Sequence, residues 1–244
     1  MIKTLYPIFQ RWSEKGSVYI ISDTHFEDAD CKLMDKNWIT PEEQVDIINK
    51  LVHKNDTLIH LGDVGNPEWI AKLKAGHKVL IMGNHDKGKN VYLRKKTKTI
   101  VEFNTFEEQE EALDKHEIDY MGTEYHKPFI YGEKIIDNHL FDEVYEGCLF
   151  IADKILLSHE PVYGLPWCLN IHGHDHNGIE PYKEGCKHIN LATNVCGYTP
   201  INLGKIINEG VLSGIDSIHR QTIDRATEKK IELLLKGAEN VNCP

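Results

Sequence analysis

The chain has 244 residues, of which 41% are hydrophobic and 27% charged, so it can bury one sizeable core and disorder throughout is not expected. With 38 acidic and 28 basic residues the net charge is −10, which disfavours a broad nucleic-acid surface. No stretch approaches the roughly 18 apolar residues of a transmembrane helix, and the first residues lack a secretory pattern. We expect a cytoplasmic protein with no membrane partner, whose six scattered cysteines are reduced thiols.

The first half of the chain alternates short apolar runs with helical segments. Runs rich in β-branched residues predict buried strands over 18–21, 57–61 and 78–82. Between the first two strands, Thr40, Pro41 and Glu43 have the spacing of a helix N-cap, a first-turn proline and a capping box. A short helix is expected after Asn66, which Pro67 follows. This alternation is typical of an α/β fold with parallel strands.

The second half of the chain has a less regular pattern. The predicted elements are a basic irregular stretch over 87–103, an acidic helix over 106–118, a loop over 119–146, a hairpin over 148–151 and 155–157, a strand over 169–171, the last core strand over 188–191, and helices near 203–209 and 216–236. We expect one domain over 1–203, in which about 104–146 form a lid or cap insertion. Residues 204–244 would form a C-terminal helical extension, packed on that domain or trailing from it.

Side chains able to bind metals follow most of the predicted strands. They are Asp23, His25, Asp63, Asn84, His85, His159, His174 and His176. Residues just beyond the carboxyl ends of such strands face the ligand crevice of an α/β sheet. Oxygen and imidazole donors suit Mn²⁺, iron or Zn²⁺, and a dinuclear centre needs about seven of them. Each motif alone also fits a polar surface turn, so the ordered set is what indicates a metal centre.

The ordered set resembles the calcineurin-like metallophosphoesterase superfamily. The matching motifs span residues 18–191 and are Asp23-Thr24-His25, Gly62-Asp63, Gly83-Asn84-His85-Asp86, His159 and Gly173-His174-Asp175-His176. The residues around His159 and His174 are most similar to those of small bacterial and phage-type members. The resemblance implies a four-layer αββα sandwich with two mixed sheets and a metal site at the carboxyl ends of the strands.

The resemblance also implies a role for each motif residue. One metal would be held by Asp23, His25, Asp63 and His176, and the second by Asp63, Asn84, His159 and His174. A hydroxide bridging the two metals would attack phosphorus. His85 would protonate the leaving group or donate a hydrogen bond to it, and Asp86 would orient His85. The expected cofactors are two Mn²⁺ ions, with iron, Zn²⁺, Ni²⁺ or Co²⁺ as alternatives.

The expected substrate is a small phosphoester, and a diester is favoured over a monoester. No arginine follows Gly62-Asp63, which disfavours a phosphoprotein phosphatase. The basic stretch over 87–98, which includes Arg94, is a candidate source of a helper cation, but a solvated basic loop is the favoured interpretation of it. The alternative is a nuclease or cyclic-nucleotide phosphodiesterase acting on a nucleotide or short oligonucleotide. A non-catalytic scaffold that binds metals and partner proteins is less favoured, because His85 and every ligand are present. The oligomeric state stays open.

Overall fold

A computed structural model describes residues 1–122, 129–178 and 187–239, with side chains omitted at Gln221 and 236–239. Within these residues the strands are β1 (Val18–Ile21), β2 (Thr57–His60), β3 (His77–Ile81), β4 (Lys96–Phe103), β5 (Tyr120–Met121), β6 (Ile130–Asp137), β7 (Glu143–Tyr145), β8 (Leu149–Ala152), β9 (Ile155–Leu157), β10 (Leu169–His172), β11 (Lys187–Asn190) and β12 (Ile201–Asn202). The α-helices are α1 (Cys31–Met34), α2 (Pro41–Leu51), α3 (Phe106–Asp114), α4 (Leu203–Asn208) and α5 (Ile218–Glu239). Short 3-10 helices cover Pro7–Ser13, Pro67–Lys72 and Lys89–Val91.

The strands form two mixed sheets and a smaller antiparallel one, which gives the chain a mixed α/β fold. The first sheet has the order β12-β1-β2-β3-β7, in which only β12 runs antiparallel to its neighbour. The second has the order β11-β10-β9-β8, with β8 antiparallel to β9. The third has the order β4-β6-β5. The prediction that 188–191 is the last core strand was wrong. A further strand, β12, follows it in the chain and pairs with β1 in the first sheet.

The two mixed sheets pack face to face. Ile20 and Ile59 of the first sheet share a buried cluster with Leu157 and Ile171 of the second. Side chains on the opposite face of the first sheet, such as Leu58, pack with α2 and the 3-10 helix Pro67–Lys72. Burial on both faces explains why β1, β2 and β3 read as continuous apolar runs. Three layers of the expected sandwich are therefore described, and a fourth, helical layer stays a prediction.

The predicted start of α2 is confirmed in detail. The Thr40 hydroxyl accepts a hydrogen bond from the Glu43 backbone N–H at 3.3 Å, and the Glu43 carboxylate accepts one from the Thr40 N–H at 2.8 Å. These two bonds satisfy donors that the first turn of a helix leaves unpaired. The capping box thus fixes where α2 begins, and α2 in turn places Gln44 close to the end of β1.

The region between β3 and β7 differs from the prediction. Residues 87–103 were expected to be irregular and 119–146 a loop, but β4 and β6 pair along their whole length. The lysines of β4 lie on the solvent-exposed side of this small sheet, where Lys96 forms an ion pair with Asp137 at 3.7 Å. The lysines in this segment therefore belong to an exposed strand and not to an irregular stretch. That the inserted sheet and α3 act as a lid stays a prediction.

The longest helix described is α5, with 22 residues, and several of its apolar side chains are exposed, including Ile223, Ile231 and Leu234. Among the described helices, none combines the length and apolar character needed to cross a membrane. Among the described residues, Cys31, Cys148 and Cys196 have free thiols. Cys186 and Cys243 lie outside the described residues.

Candidate metal centre

The loops after the central strands bring the predicted ligands together in two groups. Asp23, His25 and His176 form the first group, and Asp63, His159 and His174 form the second. In each group the candidate ligand atoms all lie within 4.8 Å of one another. The seventh predicted ligand, Asn84, joins the second group through its Oδ1 atom, which lies 2.8 Å from Nε2 of His159.

The backbone is strained where it carries these side chains. Asp23, His25, Asp63 and His174 have positive φ angles of 56°, 41°, 55° and 68°. They are half of the eight non-glycine residues with this conformation in the described part of the chain. Such a conformation costs about 1–3 kcal/mol per residue and persists only where its surroundings fix it. The concentration of strain at four candidate ligands indicates that the fold is shaped around their positions.

Two motif glycines leave room for the ligands. A Cβ atom on Gly83 would overlap Oδ1 of Asp63 and lie 2.9 Å from Cε1 of His159. A Cβ atom on Gly173 would overlap the carboxylate of Asp23. Only glycine permits such close approach of the backbone to a buried side chain. The glycines in the motifs are thus required by the packing of the centre.

Hydrogen bonds on the outer side of three imidazoles select the nitrogen that faces the centre. Nδ1 of His25 lies 3.1 Å from the Asp28 carboxylate, and Nδ1 of His159 lies 3.0 Å from the Leu61 carbonyl oxygen. Nδ1 of His176 lies 3.0 Å from Oδ1 of Asn194. These oxygens accept, so each Nδ1 carries a proton, and Nε2 is the nitrogen left for a cation. Asp28 and Asn194 were not predicted from the sequence.

The orientation of Asn194 is itself fixed. Its Nδ2 donates to the backbone carbonyl of His176 at 2.8 Å, which leaves its Oδ1 as the acceptor for the imidazole of the same histidine. Asn194 therefore holds both the backbone and the side chain of His176. No local motif marks this asparagine, whereas Asp28 stands three residues after His25, a spacing that already suggests contact.

The donor atoms left by these bonds fit a divalent cation. Nε2 of His25 is buried and has no hydrogen-bond partner. It lies 3.6 Å from Oδ2 of Asp63. A buried nitrogen lone pair facing a carboxylate is unfavourable unless a proton or a metal ion stands between them. Imidazole and carboxylate are ligands that Mn²⁺, iron and Zn²⁺ accept, so the residues fit the predicted metals.

Asp63 lies between the two groups. Its Oδ2 is 3.6 Å from Nε2 of His25 and 3.3 Å from Nε2 of His159, so one oxygen faces a donor of each group. Its Oδ1 accepts a hydrogen bond from the backbone N–H of His85 at 2.9 Å. This position is the one expected of a bridging ligand.

The two buried carboxylates differ in their electrostatics. Burial raises the pKa of Asp23, although the nearby His159 opposes the rise. Burial also disfavours the charged form of Asp63, but hydrogen bonding with His159 and the backbone of His85 holds the pKa of Asp63 at about 2. Asp63 is therefore ionised at neutral pH. A buried anion requires compensating positive charge, which a cation held by these groups would supply.

His85 and Asp86 lie beside the two groups. His85 is exposed, and its ring lies 5.6 Å from the ring of His25, centroid to centroid. The Asp86 carboxylate accepts hydrogen bonds from the backbone N–H groups of Gly83, Asp63 and Val64 at 2.8–3.0 Å. It therefore joins the loops that follow β2 and β3. Asp86 supports the turn that carries His85, and its predicted orientation of the imidazole stays a prediction.

The arginine of the basic stretch binds elsewhere. The Arg94 guanidinium donates to Asp137 at 2.9 Å and to Asp142 at 3.0 Å, and these carboxylates raise its pKa above the ordinary value. It thus connects the end of β6 to the residue preceding β7. Arg94 is therefore not the source of a helper cation for the substrate, because these two carboxylates occupy its donors.

The comparisons agree with the motifs. Residues 17–136 match the model of the calcineurin-like phosphoesterase superfamily domain. Residues 17–136 therefore belong to a domain of this superfamily. The matched segment of the phosphoesterase domain includes Asp23, His25, Asp63 and Asn84 and ends before the three later histidines. The structure nevertheless brings those histidines to the same centre.

One solved structure is also similar to this chain. It is the crystal structure of the protein of unknown function AQ665 from Aquifex aeolicus, which is 22% identical, with 79% of this chain and 98% of that chain covered and a TM-score of 0.47. No curated protein matches the chain.

Proposed function

We propose that the chain is a dinuclear metal-dependent phosphoesterase that hydrolyses a phosphodiester. The observation that carries the proposal is the position of Asp63, one of whose oxygens faces a histidine of each ligand group. Two bound cations would supply positive charge to the phosphoryl oxygens and activate water for attack on phosphorus. Mn²⁺ is the favoured ion, because the donors are oxygen and imidazole nitrogen without thiolate.

The protein groups around the centre have separate tasks. Asp23, His25 and His176 would hold one cation, and Asn84, His159 and His174 the other, with Asp63 shared. The side chain of His85 is exposed, and its backbone is held next to Asp63, because the backbone N–H of His85 donates to the Asp63 carboxylate. From there its imidazole would give a proton or a hydrogen bond to the leaving oxygen, which is worth about 10²–10⁴-fold in rate.

A diester is the better electrostatic match for this site. A monoester dianion carries one more negative charge and needs more fixed cations. No arginine follows Asp63, and Arg94 is bound to Asp137 and Asp142. With Mn²⁺ at pH 8, we expect kcat/KM to be higher for bis-p-nitrophenyl phosphate than for p-nitrophenyl phosphate. A monoester preference of about tenfold, or about 1.4 kcal/mol, would contradict this.

The role of His85 is tested by the leaving group. His85→Ala should keep its metals and lose about 10²–10⁴-fold in kcat on a diester with an alkoxide leaving group. The loss should be smaller with nitrophenolate, which leaves without a proton. His53→Ala, at an exposed histidine outside the motifs, is the control. An equal loss on both substrates would argue against proton donation, and loss of metal would make His85 a ligand.

A further inference from the structure

The small antiparallel sheet has an open edge, which is strand β4. In the order β4-β6-β5, β4 pairs with β6 on one side and with no other described strand on its second side. β4 is eight residues long, and its first five residues are exposed. An open strand of this length is a template for pairing with another chain. β4 is therefore a candidate docking surface, and its sequence indicates which chain can pair with it.

Alternate residues of β4 present their backbone groups at this open edge. The Asn138 N–H donates to the Lys95 carbonyl at 3.2 Å, which extends the ladder between β4 and β6 by one hydrogen-bonded pair. Hydrogen-bonded pairs recur at every second residue of an antiparallel ladder, so the odd-numbered residues of β4 bond to β6. The N–H and C=O groups of Ile100 and Glu102 therefore point outwards, and they have no partner in the described part of the chain.

The residues whose backbone groups point outwards also share one face of the sheet. Side chains at every second position of a strand lie on the same face, so Lys98, Ile100 and Glu102 form a row. The side chain of Lys98 is 59% exposed, Ile100 is 47% exposed, and Glu102 is also exposed. The row therefore runs from a cation through an apolar side chain to an anion.

Such a row is complementary to itself when it is reversed. In an antiparallel pair centred on Ile100, this residue faces its own copy, and Lys98 of each chain faces Glu102 of the other. Apolar pairs and opposite charges that lie directly across from each other stabilise an antiparallel sheet. We propose that β4 pairs in this register with β4 of a second copy of this chain. The two small sheets then form one six-stranded sheet with a twofold axis at Ile100.

Lysines on an edge strand often prevent pairing, and here they select the register. If the two strands were parallel and in register, or were shifted so that Lys98 faced its own copy, like charges would lie opposite each other. Within one chain, Nζ of Lys98 contacts Oε1 of Glu133 at 2.5 Å. An ammonium group has three donors, so it can bind Glu133 and Glu102 of the second copy together. The inference does not depend on the proposed function.

Sedimentation equilibrium of the full chain measures this association, and charge reversal tests the register. The unmodified chain should form a reversible dimer. Its Kd should rise at least about tenfold in Lys98→Glu and in Glu102→Lys, because each change places two pairs of like charges opposite each other. An equimolar mixture of the two variants should dimerise again, since every facing pair then has opposite charges. This recovery would also exclude misfolding as the reason why the single variants dissociate.

Lys96→Glu is the matched control. Lys96 is also an exposed lysine of β4 with an ion pair to β6, at 3.7 Å from Asp137, but the proposed register places it opposite Asn104. Its Kd should be unchanged. Loss of association in this variant would overturn the inference, because Lys96 faces Glu102 only in a register shifted by two residues. A chain that stays monomeric up to about 1 mM, a dimer that both charge reversals leave intact, or a mixture that does not recover would also overturn it.

Discussion

The hydrogen bond between Asp28 and His25 determines, at the scale of single residues, which imidazole nitrogen faces the metal centre. The carboxylate accepts from Nδ1 at 3.1 Å, so Nε2 keeps its lone pair inside the protein. A negative charge behind the ring also makes that lone pair a stronger donor to a cation. Asp28 would thus act on a bound cation through His25 without belonging to either candidate ligand group.

Asp28→Ala should weaken Mn²⁺ binding about 10–100-fold, because the ring of His25 loses both its fixed orientation and the charge behind it. Titration of the metal-free chain with Mn²⁺ measures this effect. Asp46→Ala removes an exposed carboxylate from α2 and should bind Mn²⁺ as the unmodified chain does. Unchanged Mn²⁺ affinity in Asp28→Ala would mean that His25 is oriented by its surroundings alone.

Sequence patterns singled out the side chains that the structure groups together, but not the residues that support them. Asp23, His25 and Asp63 stand at the ends of apolar runs, so topology alone places them at one edge. Asn194 is 18 residues from His176 and meets it only because the chain turns back after β11. Such a contact depends on tertiary structure, and no spacing rule contains it.

At the scale of elements, burial decided which predictions succeeded. β1 has the predicted bounds, and β2 and β3 lie within one residue of theirs. Strands buried on both faces must be apolar throughout, which gives a strong signal. β4 carries lysines and threonines and depends on pairing with β6, some thirty residues away, so its sequence alone resembled a solvated loop. β12 has two residues, too few for any periodic pattern.

At the scale of the whole molecule, a buried histidine links stability to pH. His60, the last residue of β2, is fully buried, and its Nδ1 accepts from the Gly62 backbone N–H at 3.1 Å. Its Nε2 lies 3.0 Å from the Thr24 hydroxyl, which in turn donates to the Val64 carbonyl. Burial lowers the pKa of His60 from 6.5 to about 3, so the folded chain holds it neutral.

As the pH falls, His60 is therefore protonated near pH 6.5 in the unfolded chain but only near pH 3 in the folded chain. The stability that His60 contributes is present above pH 6.5 and is lost as pH falls, by at most about 1.4 kcal/mol per pH unit. Denaturant unfolding of the metal-free chain at several pH values, compared with His60→Gln, measures it. A stability difference between the two proteins that stays constant from pH 4 to 7 would contradict the assignment.

The central claim is that two cations share Asp63, and the metal content of the Mn²⁺-saturated chain tests it most directly. We expect about two ions per chain, loss of both in Asp63→Ala, and weakening of one site more than the other in His25→Ala. The reason is that Asp63 contacts both ligand groups, whereas His25 belongs to one. One ion or none at saturation, or an Asp63→Ala variant that keeps its full metal content, would contradict the dinuclear account.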